Sequence, residues 1–168
     1  RAIDTLIEAA EVYGFKGVKL HPVDYLLPSF SSIVLELMRI AGERDMPVLF
    51  HCADEKMCLP LEIEAGIKEV PETNIILGHM GGFFHGNDAI EVAKRNKNVY
   101  LETCEQPFAR GIRKAVEELG PERVLFGTDM PTDNPLLEVE KIKYADLDKE
   151  AEEMIFYKNI ARLLNLDV

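Results

Sequence analysis

Five short apolar runs punctuate the chain, and each ends in a polar residue: Gly17-Val-Lys-Leu-His21, Val48-Leu-Phe-His51, Ile75-Ile-Leu-Gly-His79, Val99-Tyr-Leu-Glu-Thr103 and Val124-Leu-Phe-Gly-Thr-Asp129. The closing residues fall 30, 28, 24 and 26 positions apart, the length of one strand, one helix and two loops. Between the runs, apolar residues return at helical spacing. The pattern predicts a helix over 1–13, stopped by Gly14, then strands over 16–20, 47–51, 74–78, 98–103 and 123–127. Helices are predicted over 31–44, 61–70, 87–95 and 107–119, with two more over 136–142 and 147–164. Strands apolar on both faces belong to parallel sheets covered by helices. The predicted fold class is therefore α/β, a single domain of βα repeats over 1–168, with an open sheet and a TIM-barrel-type closure both allowed by the pattern.

Polar groups at the carboxyl ends of successive parallel strands converge on one crevice. Three of the four histidines end a strand. Side chains alternate along a strand; if Val18 and Leu20 face the helices, Lys19 and His21 face inward. The same count puts Leu49 with His51, Leu77 with His79, and Gly127 with Asp129 on the inner side. The loops above these ends are long, at His21 to Phe30, Cys52 to Pro60, Met80 to Gly86 and Met130 to Pro135, and such loops carry function more often than stability.

At 168 residues and 47% hydrophobic, the chain can bury one good core. Its net charge of −11 lacks the basic footprint that nucleic acid or an anionic membrane requires. No apolar stretch approaches the roughly 20 residues of a membrane span, and no charged-then-apolar leader opens the sequence. Three cysteines, at 52, 58 and 104, form no CxxC pair and read as free thiols of a reducing compartment. The expectation is a soluble cytoplasmic protein with a small-molecule substrate.

His51 and Asp129 are the leading pair, because imidazole and carboxylate suit a divalent metal such as zinc; His79 comes next, beside the Gly81-Gly82 pair that lets a substrate or an anion approach the main chain. Each alone has a plainer reading: a hydrogen-bonded strand end for His51, a tight turn around His79 in Gly78-His-Met-Gly-Gly82, a turn or cap for Asp129. His21, ahead of Pro22, is a ligand, a substrate contact or a loop residue. Lys19, inward and mid-strand, is an imine former, a carbamate bridging two metals, or an ion-pair partner of Glu102. Cys52 and Cys104 flank strand ends without a nucleophile signature, and His85 reads as a solvent-facing loop residue.

Taken together, Gly14-Phe-Lys-Gly-Val-Lys-Leu-His-Pro22, Pro47-Val-Leu-Phe-His51, Gly78-His-Met-Gly-Gly82, Gly127-Thr-Asp129 and Asn159-Ile-Ala-Arg-Leu-Leu164 resemble the amidohydrolase superfamily, in its amidohydrolase-related branch of hydrolases and metal-dependent decarboxylases. The resemblance implies strands four to eight of a (β/α)8 metal-dependent hydrolase barrel. It makes His51 the metal ligand ending strand five and His79 the strand-six histidine that binds metal or substrate. Asp129 becomes the strand-eight aspartate that binds metal and takes the proton of the attacking water, while Lys19 lies on the strand where some relatives carry a metal-bridging carboxylated lysine. The activity implied is hydrolysis of a small amide, ester or lactone. Decarboxylation of a small acid on the same site, a non-catalytic truncated fragment, and a metal-free lyase using Lys19 are the alternatives.

Relatives carry a His-x-His pair on the first strand, and this sequence has none. A complete barrel takes eight units and roughly 250 residues, so the chain reads as the carboxyl-terminal part of a longer protein or the product of a shortened gene. An open five-stranded sheet exposes its edges, and association with the missing segment or with a second copy is expected.

Overall fold

Val48, Phe50, Ile75, Leu77, Val99, Leu101 and Val124 are all at most 1% exposed, and they form the helix-facing layer of a five-stranded parallel sheet. The computed structural model describes residues 1–167. The strands are β1 (Val18–Leu20), β2 (Val48–His51), β3 (Ile75–Gly78), β4 (Val99–Glu102) and β5 (Val124–Leu125), hydrogen-bonded in sequence order. Sequential parallel pairing requires a crossover after each strand. The helices α1 (Ala2–Glu11), α2 (Pro22–Tyr25), α3 (Ser32–Gly42), α4 (Pro60–Ile67), α5 (Gly86–Arg95) and α6 (Ala109–Leu119) are followed by α7 (Pro135–Tyr144), α8 (Lys149–Glu153) and α9 (Asn159–Leu163).

The crossover helices are amphipathic. In α6, Ile112 and Ala115 are buried with Val116 and Leu119 packed beside them, and Gly120 at φ 88° ends the helix. α4 is tied to α5 by Glu64, which accepts from Arg95 Nε and Nη2 at 3.0 Å each and from Asn96 Nδ2 at 2.9 Å.

The opposite, inner layer is thinner. Leu49, Ile76 and Tyr100 share one register across β2, β3 and β4, and they pack with Leu125, Ile160 and Leu163. β3 therefore presents Ile76 and Gly78 inward and Leu77 outward, which corrects the parity expected from sequence for Leu77 and His79. His79 reaches the inner side by another route, since it lies past the strand end with φ 61°, followed by Met80 at φ 47°.

Three further boundaries differ from expectation. The loop after His21 contains α2, with Pro22 in its first turn. β5 stops at Leu125 rather than 127. The predicted helix over 147–164 is α8 and α9 joined by a π-helical turn, Met154–Lys158. That segment covers the free edge of β5: Phe126 N–H donates to the Ile155 carbonyl at 3.0 Å. Asn159 Nδ2 donates to the Val124 and Pro121 carbonyls at 2.8 Å each. Among the described residues the outer edge of β1 has no such cover, and a largely apolar hollow of ≈ 660 Å³ lies beside it, lined in part by Leu6, Phe15, Val18 and Leu27.

Candidate functional site

The carboxyl ends of β1, β2 and β3 bring three imidazoles into a row. His21, at the start of α2, stacks on His51 with ring centroids 3.9 Å apart and planes 15° from parallel. His51 meets His79 edge to face at 4.6 Å. His51 and Gly78 are register partners in the inner layer, so His79, one residue later, needs its left-handed backbone to swing back over that layer. His21 Nδ1 is buried and has no hydrogen-bond partner among the described residues, with the nearest Asp24 oxygen 3.7 Å away.

Carboxylates surround the row. His51 Nε2 lies 3.2 Å from Glu55 Oε2, and His79 Nδ1 lies 3.2 Å from Glu105 Oε2. Burial still dominates both rings. It lowers His51 despite the raising pull of Glu55, and it takes His79 down to about 4, helped by His51 and Lys19 and opposed by Asp129. Both histidines are neutral at neutral pH, so each keeps a ring nitrogen with a free lone pair.

Glu102 ends β4 in the inner layer and is 8% exposed. It accepts from the Cys104 backbone N–H at 2.8 Å, the Cys104 thiol at 2.8 Å and the His79 N–H at 3.4 Å. Burial pushes its carboxyl above the usual range against those three hydrogen bonds. A glycine at the end of β3 and another two residues past β5 leave it room. A Cβ on Gly127 would fall 1.8 Å from Glu102 Oε1, and one on Gly78 would meet Phe50 O at 3.0 Å and Glu102 Oε2 at 3.6 Å. The glycines of Ile75-Ile-Leu-Gly-His79 and Phe126-Gly-Thr-Asp129 are thus the two walls of one seat.

Cys104 Sγ also lies 3.2 Å from His79 Nδ1. The sequence carried no sign of this couple, because the two residues come from different strands. Glu102 and Cys104 share a face two positions apart, which was the available signal. Among the described residues, His79, Glu102 and Cys104 are the only three such donors whose ligating atoms all lie within 4.8 Å of one another.

Asp129 follows β5 on an exposed residue with φ 47°. It does not close with His51 and His79 into a cluster of that tightness, although its charge reaches His79, Cys104 and Glu105. Lys19 projects from β1 into the open side and is exposed. No ion pair to Glu102 forms among the described residues, because the inner layer is uncovered at β1 and the ammonium stays solvated. Lys19, Glu102, Cys104 and Asp129 nonetheless line one pocket of ≈ 240 Å³ with Leu49, Ile76, Gly127 and Ile160. His85 stands apart, half-buried, with Nδ1 2.8 Å from Asp88 Oδ2 at the start of α5.

The donor chemistry fits a divalent cation: neutral imidazoles, an orphaned buried ring nitrogen and nearby carboxylates. No helix among the described residues is long and apolar enough to cross a membrane.

A family model described as Amidohydrolase matches residues 1–166. No curated protein matches the sequence. Among solved structures, 2,6-dihydroxybenzoate decarboxylase from Rhizobium is similar over 99% of this chain and 68% of its own, at TM-score 0.76 and 17% identity. A dihydroxybenzoic acid decarboxylase from Polaromonas, with bound manganese and the inhibitor 2-nitroresorcinol, is similar over 98% and 65%, at TM-score 0.74 and 16% identity. An uncharacterised TIM-barrel protein from Bordetella bronchiseptica is similar over 97% and 72%, at TM-score 0.74 and 18% identity. The chain spans about two thirds of the length of these structures. At such identities the likeness is one of fold, and the fold is a partial TIM barrel.

Proposed function

The chain belongs to the amidohydrolase family, and from that premise we propose that its strand-end residues serve a metal-dependent reaction on a small carbonyl compound. His51, His79 and Asp129 are the residues that would hold the ion. The observation that carries the reading is the stacked row of imidazoles, two of them kept neutral by burial and the third with an orphaned Nδ1. A bound divalent metal supplies a polarised carbonyl and an acidified water; manganese occupies the Polaromonas relative, and zinc suits the imidazole donors here.

The chain's own groups do the rest. Glu55 and the His21 ring hold the plane of His51, as outer partners commonly orient a ligating histidine. Asp129, exposed at the pocket mouth, accepts a proton from the attacking water, and His79 orients the substrate oxygen. Lys19 offers the ammonium of the pocket to an oxygen of the substrate. At ≈ 240 Å³ the pocket lies below the about 300–1,000 Å³ of drug-sized sites, which favours a compact substrate.

Hydrolysis of a small amide, ester or lactone is the reading preferred, because Glu55, Glu105 and Asp129 make the mouth acidic and disfavour a free carboxylate. Decarboxylation of a small aromatic acid is the second reading, supported by the chemistry of the decarboxylases above and by the Lys19 ammonium in the pocket, which would pair with a substrate carboxylate. Zinc- or manganese-loaded protein offered small lactones, esters and amides alongside hydroxybenzoates separates them. Acid release marks the first and carbon dioxide the second. Turnover of neither, by protein that binds the ion, would refute the reading. We also propose that the uncovered β1 edge takes a further chain segment or a second copy, which sedimentation in dilute solution tests.

A further inference from the structure

We propose that His79, Glu102 and Cys104 form a second, thiolate-containing seat for a borderline-soft divalent cation of the zinc type. The seat takes His79 through Nδ1; when the ligand set above is also filled through Nε2, the ring N–H proton leaves to solvent and His79 bridges the two ions as imidazolate. The seat goes beyond that set, with which it shares only His79.

The seat is built on three polar groups that are each nine-tenths or more buried: His79, Glu102 and Cys104. Burying a carboxylate is costly unless it is paired or coordinates a cation. Glu102 has hydrogen-bond donors, yet no Lys, Arg or His lies within ion-pair distance of it among the described residues. The backbone preserves this arrangement at the expense of two side chains, since Gly78 at the end of β3 and Gly127 beyond β5 clear the space that Glu102 fills. The three donors also differ in softness in a way that selects among metals. A thiolate and an imidazole favour zinc over manganese, while carboxylate alone would not.

The geometry needs a small expansion. With Zn–S about 2.3 Å and Zn–N about 2.0–2.1 Å, tetrahedral donors stand about 3.6 Å apart, against 3.2 Å for Sγ to Nδ1 and 2.8 Å for Sγ to Oε2. Rotation of the Glu102 carboxylate, and loss of the thiol proton that now bridges Sγ and Oε2, supply it. On binding, the S–H bond breaks, the proton leaves to solvent, and the sulfur lone pair takes the metal. A water completes the fourth position. Cys52 and Cys58 are buried elsewhere and join no donor group of this kind among the described residues.

The test uses zinc and cobalt(II) alone. X-ray absorption of zinc-loaded protein is expected to show one sulfur scatterer at about 2.3 Å, and cobalt-loaded protein a thiolate-to-cobalt charge-transfer band in the near ultraviolet. Cys104→Ser should abolish both signals, and Asp129→Asn should leave both. Purely nitrogen and oxygen scattering in the wild type overturns the seat without using a variant. So does a sulfur signal that survives Cys104→Ser, or one that Asp129→Asn also removes, which would merge the two sites. Failure of the Asp129 site has a different signature: Asp129→Asn then leaves the total metal content unchanged while the sulfur signal stands.

Discussion

Gly127→Ala adds one methyl group, and the position of Glu102 determines its sign. Nothing in the backbone objects, because Gly127 is not among the glycines with positive φ. In open space such a substitution stabilises by about 0.4–1 kcal/mol through the unfolded chain. Here the new Cβ would fall 1.8 Å from Oε1, 2.5 Å from Cδ and 3.2 Å from Cγ of Glu102. Relief requires Glu102 to leave its seat, breaking its bonds from the Cys104 N–H and thiol. Overpacking of this kind costs about 1–3 kcal/mol, so a net loss of about 2 kcal/mol is expected. For a chain of this length that is a fall of about 4–8 °C in Tm. The assay is a double-mutant cycle with Glu102→Ala, read by thermal or urea unfolding. In the Glu102→Ala background the added methyl should be neutral or stabilising, giving a coupling of about 2 kcal/mol. A Gly127→Ala protein at least as stable as the wild type, or an equal loss in both backgrounds, would refute the seat.

Other predictions rest on separate parts of the structure. His79 is lowered from 6.5 to about 4 in the folded state, so between those values the unfolded chain binds the extra proton and stability rises with pH. Its contribution is complete above about 6.5 and falls away by about 4, by on the order of 3 kcal/mol. The difference between wild type and His79→Asn in urea titrations from pH 7 to 4 should follow that slope; a flat difference contradicts it. Glu138 is raised to about 7 by burial, although Lys141 lies 2.6 Å away. Its ionisation in the fold therefore subtracts stability as pH rises from about 4.5 to 7, and Glu138→Gln should remove that loss. Asn159→Ala leaves the Val124 and Pro121 carbonyls without their side-chain donor. It should cost about 2 kcal/mol, and hydrogen exchange should speed at Phe126, whose N–H is held by the same helical segment; unchanged exchange there would contradict that role.

The strand positions and the inward side of β1 and β2 were legible in the sequence because alternation is local. Lys19, His21, Leu49 and His51 fall on the side that counting assigns. The count failed at β3, where it placed Leu77 inward. His79 belongs to the site through a positive φ past the strand end, and no hydropathy pattern encodes that turn. The count that put Gly127 and Asp129 on the inner side does not reach them, because β5 ends at Leu125, and Asp129 is left exposed beyond it. Gly78 and Gly127 fall at the ends of the predicted strands 74–78 and 123–127, where the sequence shows no role of their own for them. Their role comes from register, which sets β4 between β3 and β5 and so aims Glu102 at both. The Cys104–His79 contact was hidden for the same reason, since it joins residues 25 positions apart.

Titration of purified, metal-stripped protein with zinc or manganese, followed by calorimetry and elemental analysis, bears most directly on the central claim that His51, His79 and Asp129 hold a divalent cation. Wild-type protein should bind the ion, and His51→Ala and Asp129→Ala should each weaken binding by at least tenfold, about 1.4 kcal/mol, while keeping their fold. Binding unchanged by either substitution, or no binding by wild-type protein, would contradict it.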